Sequence, residues 1–386
     1  MNNVFVIVTG NRYPNGDAGA IRQHSFAKIL KSLGYRPLVI SLGESTDFKW
    51  EKYDEIEYCS LRYSSENVLF RVIGRLLFAK NVMDIVNKLK EQICGFLLVS
   101  GGKRTFNAIK KFAIKNSINL YHDSVEWFSP CEFKNGARSA VYQQQLELNA
   151  NVIDSHFKVI AISRYLENYF QRKSIKVVRI PVIMDTESIS YEKNTDNTRI
   201  KIVYAGQVGG KDHIAEFVEA ISLLPGSVQK KLQLCMIGIT REAYESCFGR
   251  ISSHLVKNDT VKFLGRISRD EVLKHLKSAH FTMLLRPENE IYAKAGFPTK
   301  VVESLSTGTP VICNFTSDLE MYLTSGVNCV VIDNCSIEAC KEVLLKVSLM
   351  KIEDIEKMQR ESRKTAEEKF DYKNYINLFE IFLENS

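Results

Sequence analysis

Residues 200–224 read IKIVYAGQVGGKDHIAEFVEAISLL. A run of apolar residues ends in a glycine-rich loop, and the amphipathic segment IAEFVEAISLL follows it. A buried strand that leads through glycines into a helix is the repeating unit of a parallel sheet with helices on both faces. The same alternation continues through the apolar runs LQLCMIG, VKFLG, FTMLL, TPVICN and NCVVID. This part of the chain is therefore predicted to be a doubly wound α/β domain.

The amino-terminal half repeats the pattern. An apolar strand from Val4 to Val8 leads through a glycine-rich loop to an amphipathic helix, from about Ile21 to Leu33, and then to the strand RPLVISL. Four further strands are predicted from the runs GFLLVSGG, INLYHDS, FKVIAIS and IKVVRIPV. The sequence thus predicts a second α/β domain in front of the first.

The boundary between the domains is predicted in SISYEKNTDNTR, at residues 188–199, because this stretch has little that could be buried. We therefore expect two Rossmann-like doubly wound domains that face each other across a cleft. Residues 1–187 would form the amino-terminal domain, 188–199 a linker and 200–366 the carboxyl-terminal domain. Residues 367–386 are predicted to form a final amphipathic helix.

Length and composition agree with two domains of a globular protein. The chain has 386 residues, of which 45% are hydrophobic and 25% charged, and no run approaches the roughly 20 apolar residues of a membrane span. Its start, MNNVFVIVTGN, predicts a strand and not a signal peptide. Nine cysteines occur without a CxxC pair, which is typical of buried thiols in a reducing compartment. We expect a cytoplasmic protein.

The net charge of +7 is spread along the chain, and no basic stripe with interleaved aromatic residues occurs. Charge therefore selects no partner, and a nucleic-acid partner is not expected.

Two loops that follow predicted strands are candidates for binding phosphate. The loop NGDAGA, at residues 15–20, and the loop GQVGGK, from Gly206 to Lys211, have small residues that let the backbone approach a ligand closely. Helix amino termini beyond the carboxyl ends of strands favour phosphate. Glycines that only form a tight turn, and a solvated Lys211, explain these loops equally well.

The most informative segment is AGFPTKVVESLSTGTPVI, at residues 295–312. It places Lys300 at a predicted helix amino terminus, where its ammonium can meet a diphosphate, and Glu303 on the next turn, where a carboxylate can accept hydrogen bonds from ribose hydroxyls. The alternative is an amphipathic helix with an exposed Lys and Glu. The Gly, Pro and strand pattern around the helix favours the nucleotide site.

The segment GFPTKVVESLSTGTPVI resembles the donor-binding signature of GT-B glycosyltransferases of family 4, of the bacterial surface-polysaccharide type. Further likeness lies in GDAGAIR, in the turn from Tyr121 to Asp123, and in FKVIAIS, RIPVIMD, AGQVGGK and KFLGRIS. The resemblance implies transfer of a hexose-type sugar from a nucleotide diphosphate of the UDP or GDP type to a glycan or lipid-linked acceptor. It implies no separate cofactor. It also implies that the final helix, at residues 367–386, returns to the amino-terminal domain.

The resemblance also assigns roles to residues. Glu303 would hold the ribose, Lys211 and Lys300 the diphosphate, and Arg266 and Ile267 the base through their backbone. Gly206 belongs to the donor loop, and Gly19 would face the phosphates from the other domain. His122 and Asp123 would be catalytic, beside the transferred sugar, and Glu126 would orient donor or acceptor. A His-Asp pair after a strand is also commonly a satisfied polar turn.

This sequence departs from the family pattern at two positions. Ala295 stands where the family often has an earlier Glu, with Glu288 and Glu290 nearby, and Gln207 stands where the phosphate loop usually has Arg. The sequence has no DxD motif or His cluster, so we expect transfer without a metal ion, with the leaving diphosphate stabilised by Lys, helix dipoles and backbone N–H groups. The resemblance implies retention at the anomeric carbon.

The segment from Val68 to Lys80 combines apolar residues with Arg71, Arg75 and Lys80. Positions 71 and 75 share a helix face, so weak contact with an anionic inner-leaflet membrane is expected. The alternative is a helix packed on the core with one basic side.

Two other functions remain open from the sequence. One is a sugar-nucleotide epimerase with the same fold. The other is a non-catalytic sugar-nucleotide-binding protein of a polysaccharide assembly complex, an interpretation that Ala295 favours.

Overall fold

A computed structural model describes residues 3–14, 18–43, 49–62, 68–209 and 211–384. The chain divides into two compact units. The first comprises Met1–Asp185, Ala295–Phe297 and Asp371–Ser386, and the second comprises Thr186–Lys294 and Pro298–Phe370. Residues 188–199, expected as a linker, thus group with the second unit, and the chain changes unit at residue 371 where we expected 367.

The first unit is a largely parallel sheet with helices. Its strands in chain order are β1 Val4–Val8, β2 Arg36–Gly43, β3 Trp50–Tyr53, β4 Ile56–Arg62, β5 Ile93–Leu98, β6 Asn119–Ser124, β7 Phe157–Ala161 and β8 Lys176–Arg179. Its helices before residue 185 are α1 Ala18–Ser32, α2 Val68–Lys88, α3 Gly102–Lys115, α4 Ala140–Glu147 and α5 Arg164–Arg172.

The spatial order of these strands is β3-β4-β2-β1-β5-β6-β7-β8. Every pairing is parallel except the hairpin of β3 and β4 at one edge. The hairpin was not predicted, because β3 is exposed along its whole length and lacks an apolar run. β1 is completely buried, as a central strand covered on both faces requires.

The second unit contains six described strands, β9 Ile200–Ala205, β10 Leu232–Ile237, β11 Val261–Gly265, β12 Phe281–Leu284, β13 Val311–Cys313 and β14 Cys329–Val331. Its helices in chain order are α6 Ile214–Ser222, α7 Gly226–Gln229, α8 Arg241–Phe248, α9 Ser253–Lys257, α10 Arg269–Lys277, α11 Ile291–Ala295, α12 Thr299–Ser306, α13 Ile337–Ser348 and α14 Ile352–Lys369.

Its strands lie in the order β11-β10-β9-β12-β13-β14, and the registered pairs are parallel. This is the doubly wound order 3-2-1-4-5-6, in which ligands bind where the strand order reverses. In this unit the reversal lies between β9 and β12.

The carboxyl-terminal segment differs from the single helix expected over residues 367–383. The helix α14 ends at Lys369, and a second helix, α15 Ile376–Glu384, begins after a short turn. The break is stabilised because the side chain of Asp371 accepts a hydrogen bond from the backbone of Lys373, and Asp371 forms an isolated bridge with Met184. The helix α15 packs on α1 within the first unit, with the rings of Phe26 and Phe379 5.4 Å apart, so the chain returns to the first unit as expected.

Candidate functional site

Two predicted donor-binding residues, Gly206 and Lys300, meet at the carboxyl end of β9. A Cβ atom added at Gly206 would lie 2.5 Å from Nζ of Lys300 and 2.5 Å from the hydroxyl oxygen of Tyr204. A side chain at this position would have to displace the Lys300 ammonium and the Tyr204 hydroxyl. The loop after β9 and the amino-terminal turn of α12 therefore lie next to each other.

The helix α12 presents Lys300 to that loop. Pro298 precedes the helix as its N-cap residue, and Val301, Val302 and Leu305 anchor it in the core. The ammonium of Lys300 lies 4.6 Å from the ring centre of Tyr204 and donates a hydrogen bond of 3.3 Å to its hydroxyl. Lys300 is therefore fixed against the end of β9, while the apolar residues that follow it in α12 are buried.

A buried carboxylate, Asp212, joins two cations at this point. Lys300 Nζ lies 2.6 Å from Oδ2 of Asp212, Arg286 Nε lies 3.2 Å from Oδ1, and the Tyr204 hydroxyl donates to Oδ2 at 2.8 Å. Burial alone would raise the pKa of Asp212, but Lys300 and Arg286 outweigh it and hold that pKa below its ordinary value. Asp212 is therefore ionised and 7% exposed.

Sequence reasoning missed both Asp212 and Arg286. Asp212 follows the loop after β9 and Arg286 follows β12, and these strands are the neighbours at which the strand order reverses. Asn314, after β13, fixes the backbone of Arg286, since it accepts from the Arg286 N–H at 2.9 Å and donates to its carbonyl at 2.8 Å. A polar residue after each of three strand ends was the signal available in the sequence.

Glu303 lies one turn beyond Lys300 and is paired with a residue that the sequence reasoning did not single out. Nη1 of Arg269 donates a hydrogen bond of 2.6 Å to Oε1 of Glu303. The Glu303 side chain remains 20% exposed, and Arg269 is half exposed. A partly exposed carboxylate has further acceptor sites on its two oxygens, which suits a hydrogen bond from a hydroxyl.

The turn between β11 and α10 holds Arg266 and Ile267, the predicted contacts of the base. Arg266 is exposed, and Ile267 packs on the apolar cluster of Val203 and Ile237. The side chains of Ser268 and Glu271 form the capping box at the start of α10. Nearby, a cavity of about 40 Å³ is bordered by Lys300 and Glu303 and has Ala205 and Val272 in its wall.

Lys211 lies beside Tyr292. Its ammonium is 5.3 Å from the ring centre of Tyr292, and its carbonyl accepts a hydrogen bond of 3.1 Å from the Tyr292 hydroxyl. Gly210, in the same loop, lies outside the described residues. Lys211 directly precedes Asp212 in the chain, and Asp212 is the residue that binds Lys300.

In the first unit, the loop after β1 is described only in part. Residues 15–17 lie outside the description, and Gly19 is the second residue of α1. Its predicted role toward phosphate stays a prediction.

Asp123 is held by an arginine that the sequence reasoning did not use. Arg22 donates to the Asp123 carboxylate through Nε, at 3.0 and 3.1 Å, and through Nη2, at 2.8 Å. The same guanidinium donates to the carbonyls of Ile180 and Pro181. These contacts tie the end of β6 to α1 and to the segment after β8.

His122 is buried on the other face of β6. Its Nδ1 donates a hydrogen bond of 2.9 Å to the carbonyl of Leu98, and its ring lies against those of Phe106 and Phe170. Burial lowers its pKa, so His122 is neutral near neutral pH. These contacts give His122 and Asp123 packing roles, and their catalytic roles stay a prediction.

The loop that carries Glu126 is clamped by one glutamine. Gln145 of α4 donates to the carbonyl of Glu126 at 2.9 Å and accepts from the N–H of Phe128 at 2.7 Å. The position of the Glu126 backbone is thereby fixed, and its role toward donor or acceptor stays a prediction.

Position 295 is an alanine, so it supplies no carboxylate to the site. Ala295 is completely buried, and its carbonyl accepts a hydrogen bond of 2.6 Å from the hydroxyl of Ser163. Of the two nearby candidates, Glu288 receives a hydrogen bond of 3.4 Å from Asn314.

In the described ranges, no group of three or more His, Cys, Asp or Glu residues is arranged to hold a metal ion. Within the same ranges, no helix combines the length and apolar character needed to cross a membrane.

Comparisons with known proteins bear on this site. Residues 185–368 match the family model described as glycosyl transferases group 1, and this range contains the whole cluster around Asp212 and Glu303. A comparison with curated protein sequences finds no significant match.

The chain is similar in fold to solved structures of low sequence identity. One is a sucrose-phosphate synthase from Thermosynechococcus elongatus, with 14% identity, a TM-score of 0.75 and all of both chains covered. Another is HepE from Anabaena in complex with UDP and glucose, with 13% identity, a TM-score of 0.69 and 99% of each chain covered. A third is WaaG, a glycosyltransferase involved in lipopolysaccharide biosynthesis, with 12% identity, a TM-score of 0.66, and 94% of this chain and 95% of that chain covered.

These similarities extend over both units, and the family model covers the one that contains the candidate donor site. Residues 185–368 belong to the glycosyl transferases group 1 family, in a chain that has the GT-B fold.

Proposed function

We propose that this protein is a glycosyltransferase that moves a hexose-type sugar from a nucleotide diphosphate of the UDP or GDP type to a glycan or lipid-linked acceptor. The observation that carries this proposal is the meeting of Gly206, Lys300 and Arg286 beside the reversal between β9 and β12. Two cations and a loop of small residues at such a point suit a diphosphate. Glu303, one turn from Lys300, suits the adjoining ribose.

Supporting this proposal, the solved structures of HepE carry UDP or UDP-glucose, and WaaG acts in lipopolysaccharide biosynthesis. The pathway proposed here is synthesis of a cell-surface polysaccharide on the cytoplasmic side.

A panel of UDP, GDP, ADP and their common sugar conjugates tests the donor site by thermal shift, with and without EDTA. One nucleotide should raise the melting temperature of the wild type, EDTA should not change the rise, and Glu303→Ala should abolish it. Glu338→Ala, an exposed carboxylate on α13 of the same unit, serves as the matched control and should keep the shift. No shift from any nucleotide would contradict the proposal.

For the chemistry, we propose transfer with retention at the anomeric carbon and without a metal ion. Lys300, Arg286 and backbone N–H groups would stabilise the charge on the departing diphosphate, since preorganised donors supply that stabilisation directly. The departing phosphate would help deprotonate the acceptor on the same face. The anomeric configuration of the product, measured by NMR, tests this, and an inverted product would contradict it.

A second candidate is a non-catalytic sugar-nucleotide-binding protein of a polysaccharide assembly complex. The buried Ala295 favours it, because no carboxylate from that position can contact the donor sugar. This candidate predicts that a nucleotide sugar binds but is neither hydrolysed nor transferred.

Weak association with an anionic membrane is a further part of the proposal. On α2, Phe78, Val82 and Val86 are buried whereas Leu77 and Lys80 are exposed; the side chains of Arg71 and Arg75 lie outside the description. A helix anchored by one face, with Lys80 exposed beside it, suits peripheral contact with lipid headgroups. Flotation with anionic liposomes should recover part of the protein at low salt, and recovery that salt does not reduce, or none at all, would contradict the idea.

A further inference from the structure

We propose that Asp212 positions the two cations of the donor site, Lys300 and Arg286, and that Arg286 is a second contact for the diphosphate. This inference rests on the proposed function. The two residues would have different roles. Arg286 would contact the ligand, whereas Asp212 would act by holding Lys300 and Arg286 in place.

The carboxylate of Asp212 is divided between the two cations. Its Oδ1 lies 3.2 Å from Arg286 Nε, and its Oδ2 lies 2.6 Å from Lys300 Nζ. The Asp212 side chain is 5% exposed, the Arg286 side chain 15% and the Lys300 side chain 34%. The carboxylate is thus covered, whereas about a third of the Lys300 side chain remains exposed, which is the arrangement expected when the cations lie on the ligand side of the anion.

Arg286 can supply a second charge beside Lys211 of the loop after β9. Position 207 in that loop is the neutral Gln207. Arg286, after the adjacent strand β12, reaches Asp212 at the end of that loop, and Asn314 holds the Arg286 backbone with two hydrogen bonds. Its Nε is bound to Asp212, so the guanidinium still has donors for a phosphate oxygen.

Asp212 also maintains the charge of Lys300. The groups that face this ammonium are Asp212 and Tyr204 from β9 and its loop, Arg286 from beyond β12 and Glu303 on its own helix. Desolvation lowers the pKa of Lys300, Arg286 lowers it further, and Asp212 is the first of the groups that raise it. Loss of the Asp212 charge therefore leaves the ammonium beside Arg286 with less compensation, and Lys300 would release its proton at lower pH.

The first test uses Asp212→Asn without nucleotide. The Cε resonance of Lys300, labelled with ¹³C and identified by its absence in Lys300→Arg, is followed against pH in the wild type and in the variant. In Asp212→Asn the titration should move down by about one pH unit or more, since a buried charge partner shifts a pKa by that order. An unchanged titration in a variant that melts like the wild type would overturn the positioning role, whether or not any nucleotide binds.

The second test measures nucleotide affinity by calorimetry at pH 7 and pH 9, with UDP, or with GDP if the thermal-shift panel selects it. When the pH rises from 7 to 9, the nucleotide affinity of Asp212→Asn should fall about tenfold more than that of the wild type. The reason is that one charge-assisted hydrogen bond to the nucleotide is lost with the Lys300 proton. A purely structural role of Asp212 would weaken binding equally at both pH values and would overturn the proposal.

The third test addresses Arg286. Arg286→Gln should weaken nucleotide binding about tenfold or more at both pH values, and Arg286→Lys should restore part of the loss. Arg250→Gln, an exposed arginine after α8 in the same unit, is the matched control and should bind like the wild type. Wild-type affinity in Arg286→Gln would overturn its role, whereas a wild type that binds no nucleotide would overturn the proposed function as well.

Discussion

The guanidinium of Arg22 donates hydrogen bonds of 2.8, 3.0 and 3.1 Å to the carboxylate of Asp123. Both side chains are almost completely buried, at 3% and 0% exposure. Removal of one member of such a pair leaves an uncompensated buried charge. We therefore expect the pair to contribute to stability, although the sequence analysis assigned Asp123 a catalytic role.

Arg22→Met should lower the free energy of unfolding by about 3 to 5 kcal/mol, because Asp123 loses its partner in the core. Urea denaturation measures this. Lys103→Met removes the exposed pair of Lys103 and Glu147, 2.7 Å apart in the same unit, and should cost less than about 1 kcal/mol. Equal effects of the two substitutions would contradict the structural role of the buried pair.

Gly206→Ala should weaken nucleotide binding about tenfold or more, since its Cβ would collide with Lys300 Nζ and displace the ammonium from the diphosphate. Gly209→Ala lies in the same loop, where an added Cβ would meet nothing within 4 Å. Calorimetry with the selected nucleotide compares the two. If both variants bind like the wild type, the loop does not form the diphosphate site.

Gly308→Ala should reduce stability by about 1 to 3 kcal/mol without a specific effect on nucleotide binding. Gly308 has a φ of 68°, and a Cβ there would lie 2.2 Å from the ring of Tyr191. This glycine of the signature is therefore required by the turn that ends α12. Gly226→Ala, at a position with no atom within 4 Å of the added Cβ, is the control, and thermal melting of both variants gives the comparison.

His280 should make the protein less stable in acid. Nδ1 of His280 accepts the N–H of Lys201 at 3.0 Å, and Nε2 is bonded to Asn197 at 3.0 Å, so the imidazole is neutral. Burial lowers its pKa from 6.5 to about 4. Between these two pH values the unfolded chain binds a proton that the folded chain does not, and the free energy of unfolding should fall with falling pH by up to about 1.4 kcal/mol per pH unit.

Denaturation of the wild type and of His280→Gln between pH 7 and pH 4 measures this effect. The substitution should make the stability curve flatter in this window. Parallel curves would show that another group is responsible for the acid sensitivity.

The order of elements in the second unit followed from its apolar runs. Gly206 was singled out because it follows a predicted strand, and Lys300 and Glu303 because they lie in the segment at residues 295–312; their roles toward the donor stay predictions. Asp212 and Arg286 could not be matched from sequence, since their meeting depends on β9 and β12 being neighbours in the sheet, which periodicity along the chain does not reveal.

In the first unit, the sequence failed to predict some features for other reasons. The hairpin of β3 and β4 has an exposed edge and no apolar run to mark it. The break between α14 and α15 depends on Asp371, whose bridge to Met184 is a contact distant in sequence. The role of Asp123 was inferred from its position after β6, whereas its contacts are set by Arg22 on α1.

The measurement that tests the central claim most directly is release of the nucleoside diphosphate from the selected nucleotide sugar, in the presence of EDTA, by the wild type, Lys300→Met, Glu303→Ala and the control Glu338→Ala. We predict release by the wild type and by Glu338→Ala, and a loss of at least about tenfold in the two site variants. No release by the wild type from any donor that it binds would contradict the account and favour a protein that binds sugar nucleotides without transferring them.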